Sequence, residues 1–221
     1  MYGSPHTVSD VMTHTVVAVG RDAPFKDVVE LMEQWKVSAL PVLEGEGRVI
    51  GVVSEADLLP KEEFRDSDPD RFAQRQRLAD LAKAGALTAE ELMSAPAVTV
   101  HADATLAEAA RIMARRKVKR LPVINDVGML EGVVSRADLL KVFLRSDDEL
   151  TEEVRQEVVD RLFPLSADHI QVEVTEGVVT LTGWVDGTAL VGAAERLARA
   201  VEGVVDVRCN LVPASARSDP Q

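Results

Sequence analysis

The stretch Gly51-Val52-Val53-Ser54-Glu55-Ala56-Asp57-Leu58-Leu59 returns later in the chain as Gly132-Val133-Val134-Ser135-Arg136-Ala137-Asp138-Leu139-Leu140. The correspondence continues upstream at a constant offset without gaps, and about 20 of about 50 aligned positions are identical. It also pairs Leu40-Pro41-Val42 with Leu121-Pro122-Val123. Two copies of one unit predict a pseudo-twofold pair, and we expect function in the clefts that the pair forms.

The hydrophobic pattern predicts the same order of elements in both copies. Apolar residues at helical spacing begin at Phe25 and at Leu106. A short β-like run follows each helix, and a glycine-containing turn leads to a second run that ends in Gly-Val-Val. Ser54 or Ser135 then opens a final helix. Each unit is therefore predicted to be a short strand, a helix, two strands and a helix.

Each repeat resembles a CBS domain, and the tandem pair resembles a Bateman module. The residues that carry the resemblance are Asp10-Val11-Met12 and Glu91-Leu92-Met93 at the start of each repeat, the Leu-Pro-Val strand and the Gly-x-x-Ser-x-x-Asp ending. The resemblance implies CBS domain 1 over 8–60 and CBS domain 2 over 89–146. It further implies that the module forms a homodimer.

The Gly-x-x-Ser-x-x-Asp ending suits a nucleotide. Glycine allows a ligand to approach the backbone closely, and a serine hydroxyl beside the free N–H groups of a helix start suits a phosphate. An aspartate one turn later can accept both hydroxyls of a ribose. In CBS domains this motif binds adenosine nucleotides, and the resemblance implies such a role for two sets of residues: Gly51, Ser54 and Asp57, and Gly132, Ser135 and Asp138.

The same motif has a purely structural interpretation. A serine followed three residues later by an acid, at the start of a helix, is also the pattern of an N-cap with a capping acid. Capping and ligand binding can coexist at one helix start, so the pattern leaves both open.

The two copies differ in charge around the motif. Ser38 and Ala39 of the first copy stand where the second has Lys119 and Arg120, and Arg136 takes the place of Glu55. The stretch 117–122 is similar to the γ subunit of AMP-activated protein kinase, where a basic pair before Leu-Pro reaches nucleotide phosphate, although Lys119 replaces a histidine found there. The asymmetry predicts that the second repeat supplies the phosphate-binding end, through Lys119, Arg120 and Arg136. Because the two units face each other, either Asp57 or Asp138 could hold the ribose, and we expect Asp138 to contribute more.

Residues 61–88 form a charged connector between the repeats. Phe72, Leu78, Leu81 and Ala82 predict a helix over about 71–84 that ends near Gly85. Such a connector is long for two CBS units, and it could cover a cleft, build a dimer contact or pack on the surface. Of these, packing on the surface is the favoured interpretation.

The last third of the chain follows a different pattern, α-β-β-α-β, with a turn at Glu176-Gly177. The run Val172-x-Val174-x-x-Gly177-Val178-Val179-Thr180-Leu181-Thr182-Gly183-x-Val185, with Gly203-Val204 later, resembles the BON domain. The predicted fold class is therefore α+β: a Bateman module, a small BON-like domain over 149–213 and a disordered tail over 214–221. In the family, this domain is implied to attach proteins to membranes or other macromolecules. We expect residues 1–146 and 148–221 to fold when expressed separately.

Composition excludes several classes of protein. The net charge is −12, and residues 146–213 carry 14 acidic against 5 basic residues. This acidity disfavours nucleic-acid binding and direct binding to anionic membranes. The start of the chain lacks the pattern of a signal peptide, and Cys209 is the single cysteine, so a cytoplasmic location is expected. The scattered histidines have no metal-ligand spacing, and no catalytic residue is expected; Ser166, Asp168 and His169 read as a polar loop cluster rather than a triad.

Together these observations predict a non-enzymatic regulatory protein. Its CBS pair would sense an adenine nucleotide (AMP, ADP or ATP) or S-adenosylmethionine as a regulatory ligand, with no obligatory cofactor, and the BON-like domain would relay that state to an unknown protein partner. Two alternatives come from other classes: a structural stress or scaffold protein with no ligand, and a peripheral membrane adaptor led by the BON-like domain.

Overall fold

Both repeats fold as their patterns predict, in a computed structural model that describes residues 6–64 and 78–214. In the first repeat the elements are α1 (Val8–Val11), β1 (Val19–Gly20), α2 (Phe25–Trp35), β2 (Ala39–Glu44), β3 (Arg48–Ser54) and α3 (Glu55–Glu63). After α4 (Leu78–Gly85), the second repeat has α5 (Ala89–Leu92), β4 (Val100–His101), α6 (Leu106–Arg116), β5 (Arg120–Ile124), β6 (Leu130–Ser135) and α7 (Arg136–Leu139).

The sheets of the two repeats are built alike. In each, a two-residue strand runs parallel to the middle strand, which pairs antiparallel with the third. The register is also shared, since Ala39 pairs with Ser54 as Arg120 pairs with Ser135. Even the irregularity in the ladder falls at equivalent places, between Val42 and Leu43 and between Val123 and Ile124. The predicted pseudo-symmetry therefore extends to the pairing of individual residues.

The segment that leads into each repeat is bonded to the other repeat. Thr13 exchanges two backbone hydrogen bonds with Val133, at 2.9 and 3.0 Å. Ser94 exchanges the equivalent pair with Val52, at 2.9 and 3.2 Å. Because each leading segment completes the sheet region of its neighbour, the two repeats form one compact unit, residues 7–138.

The predicted connector helix is present where the structure describes it. Helix α4 ends at Gly85, as expected from the sequence, and it packs against α3. Lys61 of α3 donates from Nζ to the carbonyl oxygen of Ala84 at 3.1 Å. The earlier part of the predicted helix, including Phe72, lies outside the described residues, as does most of the predicted tail.

The C-terminal unit confirms the predicted α-β-β-α-β order. A helical segment runs through α8 (Asp147–Val154), a π turn (Arg155–Val159) and α9 (Asp160–Leu162). Strands β7 (Ile170–Thr175) and β8 (Val178–Val185), helix α10 (Val191–Ala200) and strand β9 (Asp206–Pro213) follow. Strand β8 lies in the middle, antiparallel to β7 and parallel to β9. The π turn places the adjacent Val158 and Val159 in the core together, which the α-helical spacing did not predict.

Residues 139–145 pack with the C-terminal unit, although Leu139-Leu140 repeats Leu58-Leu59 at the end of the first motif. Arg145 makes two polar contacts with the C-terminal unit. Its Nη1 donates to the backbone oxygen of Glu202 at 2.8 Å and its Nη2 to a carboxylate oxygen of Glu153 at 2.6 Å. The segment also packs closely against the C-terminal unit: a Cβ on Gly203 would lie only 2.8 Å from the backbone oxygen of Val142. Separate folding of residues 1–146 and 148–221 stays a prediction, and a cut there removes these contacts from the C-terminal unit.

Replacing Arg145 with methionine should destabilise the C-terminal unit by about 1.5–3 kcal/mol, since two hydrogen bonds of a charged and largely buried side chain are lost. Thermal or urea unfolding of the full chain measures the change. Arg161→Met is the matched control, because it removes an ion pair with Glu157 from an arginine that is 57% exposed. Such exposed pairs contribute little. Equal destabilisation by both variants would contradict a structural role for Arg145.

Candidate functional site

Both repeated motifs form capped helix starts. The Asp57 carboxylate accepts the backbone N–H of Ser54 at 2.8 Å and its hydroxyl at 2.6 Å. The equivalent distances from Ser135 to Asp138 are 2.9 and 2.6 Å. The capping interpretation of the motif is therefore confirmed in both repeats. Asp57 is only 8% exposed, so its carboxylate oxygens are contacted mainly by protein donors and not by water.

A cavity of about 460 Å³ lies at the first motif and is lined by both repeats. This volume falls within the usual range for small-molecule sites, about 300–1,000 Å³. The first repeat contributes the start of β2 and the start of α3, while the second contributes the segment after Ser94 and the loop before β5. The lining residues are Ser38, Ala39, Val52, Ser54, Glu55, Ala56, Asp57, Leu59, Ser94, Pro96, Ala97, Val98, Lys117, Val118, Lys119 and Arg120.

The cavity has three chemically distinct parts. Val52, Val98 and Val118 supply apolar wall that suits a flat base. Asp57 provides a carboxylate, and Lys119 and Arg120 provide cations. A base, a hydroxyl-bearing sugar and an anionic group therefore each find a matching surface within one cavity.

The basic side of the cavity is held in place by the first repeat. Arg120 donates from Nη2 to the hydroxyl of Ser38 at 2.9 Å. Ser38 is the counterpart, in the first repeat, of Lys119 in the second. Because serine is short and polar here, the guanidinium of the second repeat reaches across and is positioned by it.

The structure regroups the predicted site residues. Arg120 and Lys119 share the cavity with Ser54 and Asp57, so of the two aspartates it is Asp57, and not the favoured Asp138, that lies with the basic pair. Ser135 and Asp138 lie at the start of α7, at the pseudo-equivalent position. The backbone N–H of Arg136 donates to the oxygen of Lys119 at 3.0 Å, and its Nε donates to the oxygen of Val118 at 3.2 Å. Arg136 thus helps to fix the backbone of Val118 and Lys119, next to the cavity.

The two motif glycines face methionines of the opposite repeat. A Cβ on Gly51 would lie 2.3 Å from the sulfur of Met93, and one on Gly132 would lie 2.6 Å from the sulfur of Met12. The close approach expected of a ligand at these glycines is thus made by a protein side chain. Packing between the repeats accounts for both glycines.

Gly51→Ala should destabilise the CBS pair by about 1–3 kcal/mol, because the added methyl group overpacks against Met93. The double variant Gly51→Ala/Met93→Ala should be destabilised by less than the sum of the two single variants, since the clash is absent once the Met93 side chain is removed. Unfolding of the two variants and of Met93→Ala alone tests the coupling. Strictly additive effects would mean that Gly51 serves something other than this contact.

Lys83 and Ser94, which the sequence pattern did not indicate, also belong to the site. Lys83 of α4 forms an ion pair with Asp57 and also donates to the hydroxyl of Ser94 at 3.3 Å. That hydroxyl donates to Asp57 at 3.3 Å. Lys117 lines the basic side from a left-handed position (φ 57°) at the end of α6. The predicted surface-packed connector therefore also reaches the candidate site.

The C-terminal unit holds no triad at Ser166 and His169. The hydroxyl of Ser166 donates to Asp186 at 3.0 Å, while the ring of His169 stacks on Trp184 with centroids 3.9 Å apart. Within residues 6–64 and 78–214, no cluster of three His, Cys, Asp or Glu side chains could hold a metal ion. Over the same ranges, no helix has the length and apolar character required to cross a bilayer.

Known protein families match both repeats and the C-terminal unit. Residues 8–61 and 89–145 match the CBS domain family, and residues 146–213 match the BON domain family. An uncharacterised protein of Methanocaldococcus jannaschii is 28% identical over 153 residues, which cover 62% of this chain and 90% of the relative. The chloroplastic CBS domain-containing protein CBSX2 of Arabidopsis thaliana is 28% identical over 155 residues, covering 63% of this chain and 64% of CBSX2.

A solved structure connects this fold with a ligand. The crystal structure of CBSX2 in complex with AMP is similar to this chain with a TM-score of 0.56 and 29% identity. The match covers 63% of this chain and 97% of the solved chain.

Proposed function

Because the chain belongs to the CBS domain family, with two CBS domains followed by a BON domain, we propose that it is a regulatory protein that senses an adenine nucleotide. The observation that carries the proposal is the cavity that brings Asp57 together with Lys119 and Arg120. The AMP complex of the related CBSX2 supports an adenosyl ligand for a CBS pair of this fold. Catalysis forms no part of the proposed role.

Each part of the ligand has a proposed place. The base lies against Val52 and Val98, and the ribose hydroxyls donate to Asp57. The phosphate meets Lys119 and Arg120, where a charge-assisted hydrogen bond from a planar guanidinium is strongest. Glu55 also lines the cavity and repels additional negative charge, so the arrangement favours a monophosphate over a triphosphate.

Sensing requires that the ligand distinguish two states of the protein. A nucleotide in this cavity contacts residues of both repeats, so it binds most tightly to the arrangement in which Asp57 and Arg120 face each other at the right distance. It shifts the equilibrium toward that arrangement by its differential affinity alone. We propose that the BON domain relays this state to a protein partner, and that the CBS pair forms a homodimer in the cytoplasm.

The two alternative functions make different demands. A scaffold without a ligand needs only the capped helix starts, which are present at Ser54 and Ser135. A membrane adaptor led by the BON domain has to overcome the excess of acidic residues in 146–213 on an anionic surface. Flotation with anionic vesicles separates the adaptor from the sensor.

AMP should raise the melting temperature of the full chain. A ligand present at about 100 times its dissociation constant adds about 2.7 kcal/mol of stability to the state that binds it. A thermal-shift series with AMP, ADP, ATP and S-adenosylmethionine measures the effect and ranks the ligands. If none of them shifts the melting temperature at millimolar concentration, sensing is rejected and the scaffold function remains.

Variants of the two sides of the cavity should affect different parts of the ligand. Arg120→Met should weaken AMP binding by about 1.5–3 kcal/mol but leave adenosine binding unchanged, because only AMP has a phosphate. Asp57→Asn should weaken both ligands. Calorimetric titration measures the affinities, and unfolding experiments check that the cap at Ser54 is retained.

Two control variants accompany this experiment. Arg111→Met removes an exposed charge of α6 that does not line the cavity. Asp138→Asn alters the equivalent motif of the second repeat. Loss of AMP binding in Asp138→Asn, with Asp57→Asn and Arg120→Met unchanged, would place the nucleotide at the second motif and contradict the proposed site.

A further inference from the structure

The carboxylate proposed to hold the ribose is already fully engaged. One oxygen of Asp57 accepts both donors of Ser54, at 2.8 and 2.6 Å. The other accepts the ammonium of Lys83 and, at 3.3 Å, the hydroxyl of Ser94. An ionised carboxylate offers about four acceptor positions. A ribose hydroxyl can therefore bind Asp57 only by displacing a donor that is present.

These donors differ in how readily they can be displaced. The Ser54 contacts form the helix cap, and the second repeat has the same cap at Ser135, so they belong to the fold of every copy. Lys83 instead lies in the connector, which has no counterpart within the repeats. Its long side chain can withdraw without unfolding α3. The Ser94 hydroxyl lies farther from the same oxygen, at 3.3 Å, and itself accepts from Lys83. Lys83 is therefore the main donor that a ligand would displace.

The ion pair is shielded enough to matter energetically. The side chains of Lys83 and Asp57 are 20% and 11% exposed, so water screens their attraction only in part. The contact of Lys61 with Ala84 fixes the end of α4 against α3, which keeps Lys83 close to its partner. A ligand thus meets a competitor that is tethered beside the site.

We propose that Lys83 is an intramolecular competitor for Asp57 that sets the affinity and selectivity of the cavity. The proposal rests on the proposed function, since it assigns the ribose hydroxyls to Asp57. Occupation of the cavity then frees Lys83, and by reciprocity any influence that moves α4 away from α3 raises the affinity for the ligand. The connector becomes a ligand-responsive element of the protein.

The positive charge of Lys83 has an opposite effect on phosphate, and the two effects can be separated. Once displaced from Asp57, the Lys83 ammonium attracts an anionic ligand. A variant without this ammonium therefore binds AMP with two opposing changes: it loses the attraction to phosphate and gains from the loss of competition. Adenosine has no charge and reports only the competition. The proposal therefore predicts a larger gain for adenosine than for AMP.

The test is calorimetric titration of adenosine and AMP into the full chain carrying Lys83→Met. Adenosine should bind about tenfold more tightly than to the wild type, the scale of one hydrogen bond to a charged group. Lys26→Met is the control, because it removes an exposed lysine of α2 that does not line the cavity. It should bind adenosine as the wild type does. If Lys83→Met does not unfold cooperatively, Lys83→Gln replaces it, with the same direction of change expected.

Each outcome separates this proposal from the function on which it rests. Equal or weaker adenosine binding by Lys83→Met, with a wild type that binds, overturns the competition and leaves nucleotide sensing in place. If Lys83→Met binds adenosine and AMP but the wild type binds neither, the competition is supported and sensing by the native chain is contradicted. If neither the wild type nor Lys83→Met binds adenosine or AMP, both proposals are overturned.

Discussion

The structure of the candidate site depends on the exchange of backbone hydrogen bonds between the repeats. Ser94, which leads into the second repeat, pairs with Val52 in the third strand of the first repeat. This pairing brings the segment of Ala97 and Val98 over the first motif, where it becomes a wall of the cavity. The same exchange explains the two motif glycines, because a side chain at Gly51 would clash with Met93. One constraint thus joins the repeats and creates the space between them.

The carboxylate of Asp57 shows how a structural and a functional requirement can be met by one group. It caps α3 through Ser54, and its remaining oxygen faces the cavity. The cap fixes the position of that oxygen without using it. In this chain the connector adds Lys83 to the same oxygen, so the aspartate is a junction of helix cap, connector and candidate ligand site. Its exchange of partners is the simplest way in which occupancy of the cavity could be communicated to the rest of the protein.

The sequence predicted the elements of the fold well and the composition of the site only in part. The repeated motif predicted Ser54 and Asp57, because motif residues keep their spacing along the chain, and the charge difference between the copies predicted Lys119 and Arg120. The sequence left open whether Asp57 or Asp138 would share a cavity with Arg120, since that grouping follows from how the repeats pack and not from their similarity. Lys83 was missed for a related reason: a residue outside the repeat has no counterpart with which it can be compared.

A crystal structure of the full chain grown with AMP would show directly which residues hold the nucleotide. The proposed binding mode predicts density for the nucleotide in the cavity at the first motif, with the ribose within hydrogen-bond distance of Asp57. It places the phosphate beside Lys119 and Arg120, and the Lys83 ammonium away from Asp57. AMP bound at Asp138 instead, or bound in the cavity with the Lys83–Asp57 pair intact and the ribose elsewhere, would contradict it.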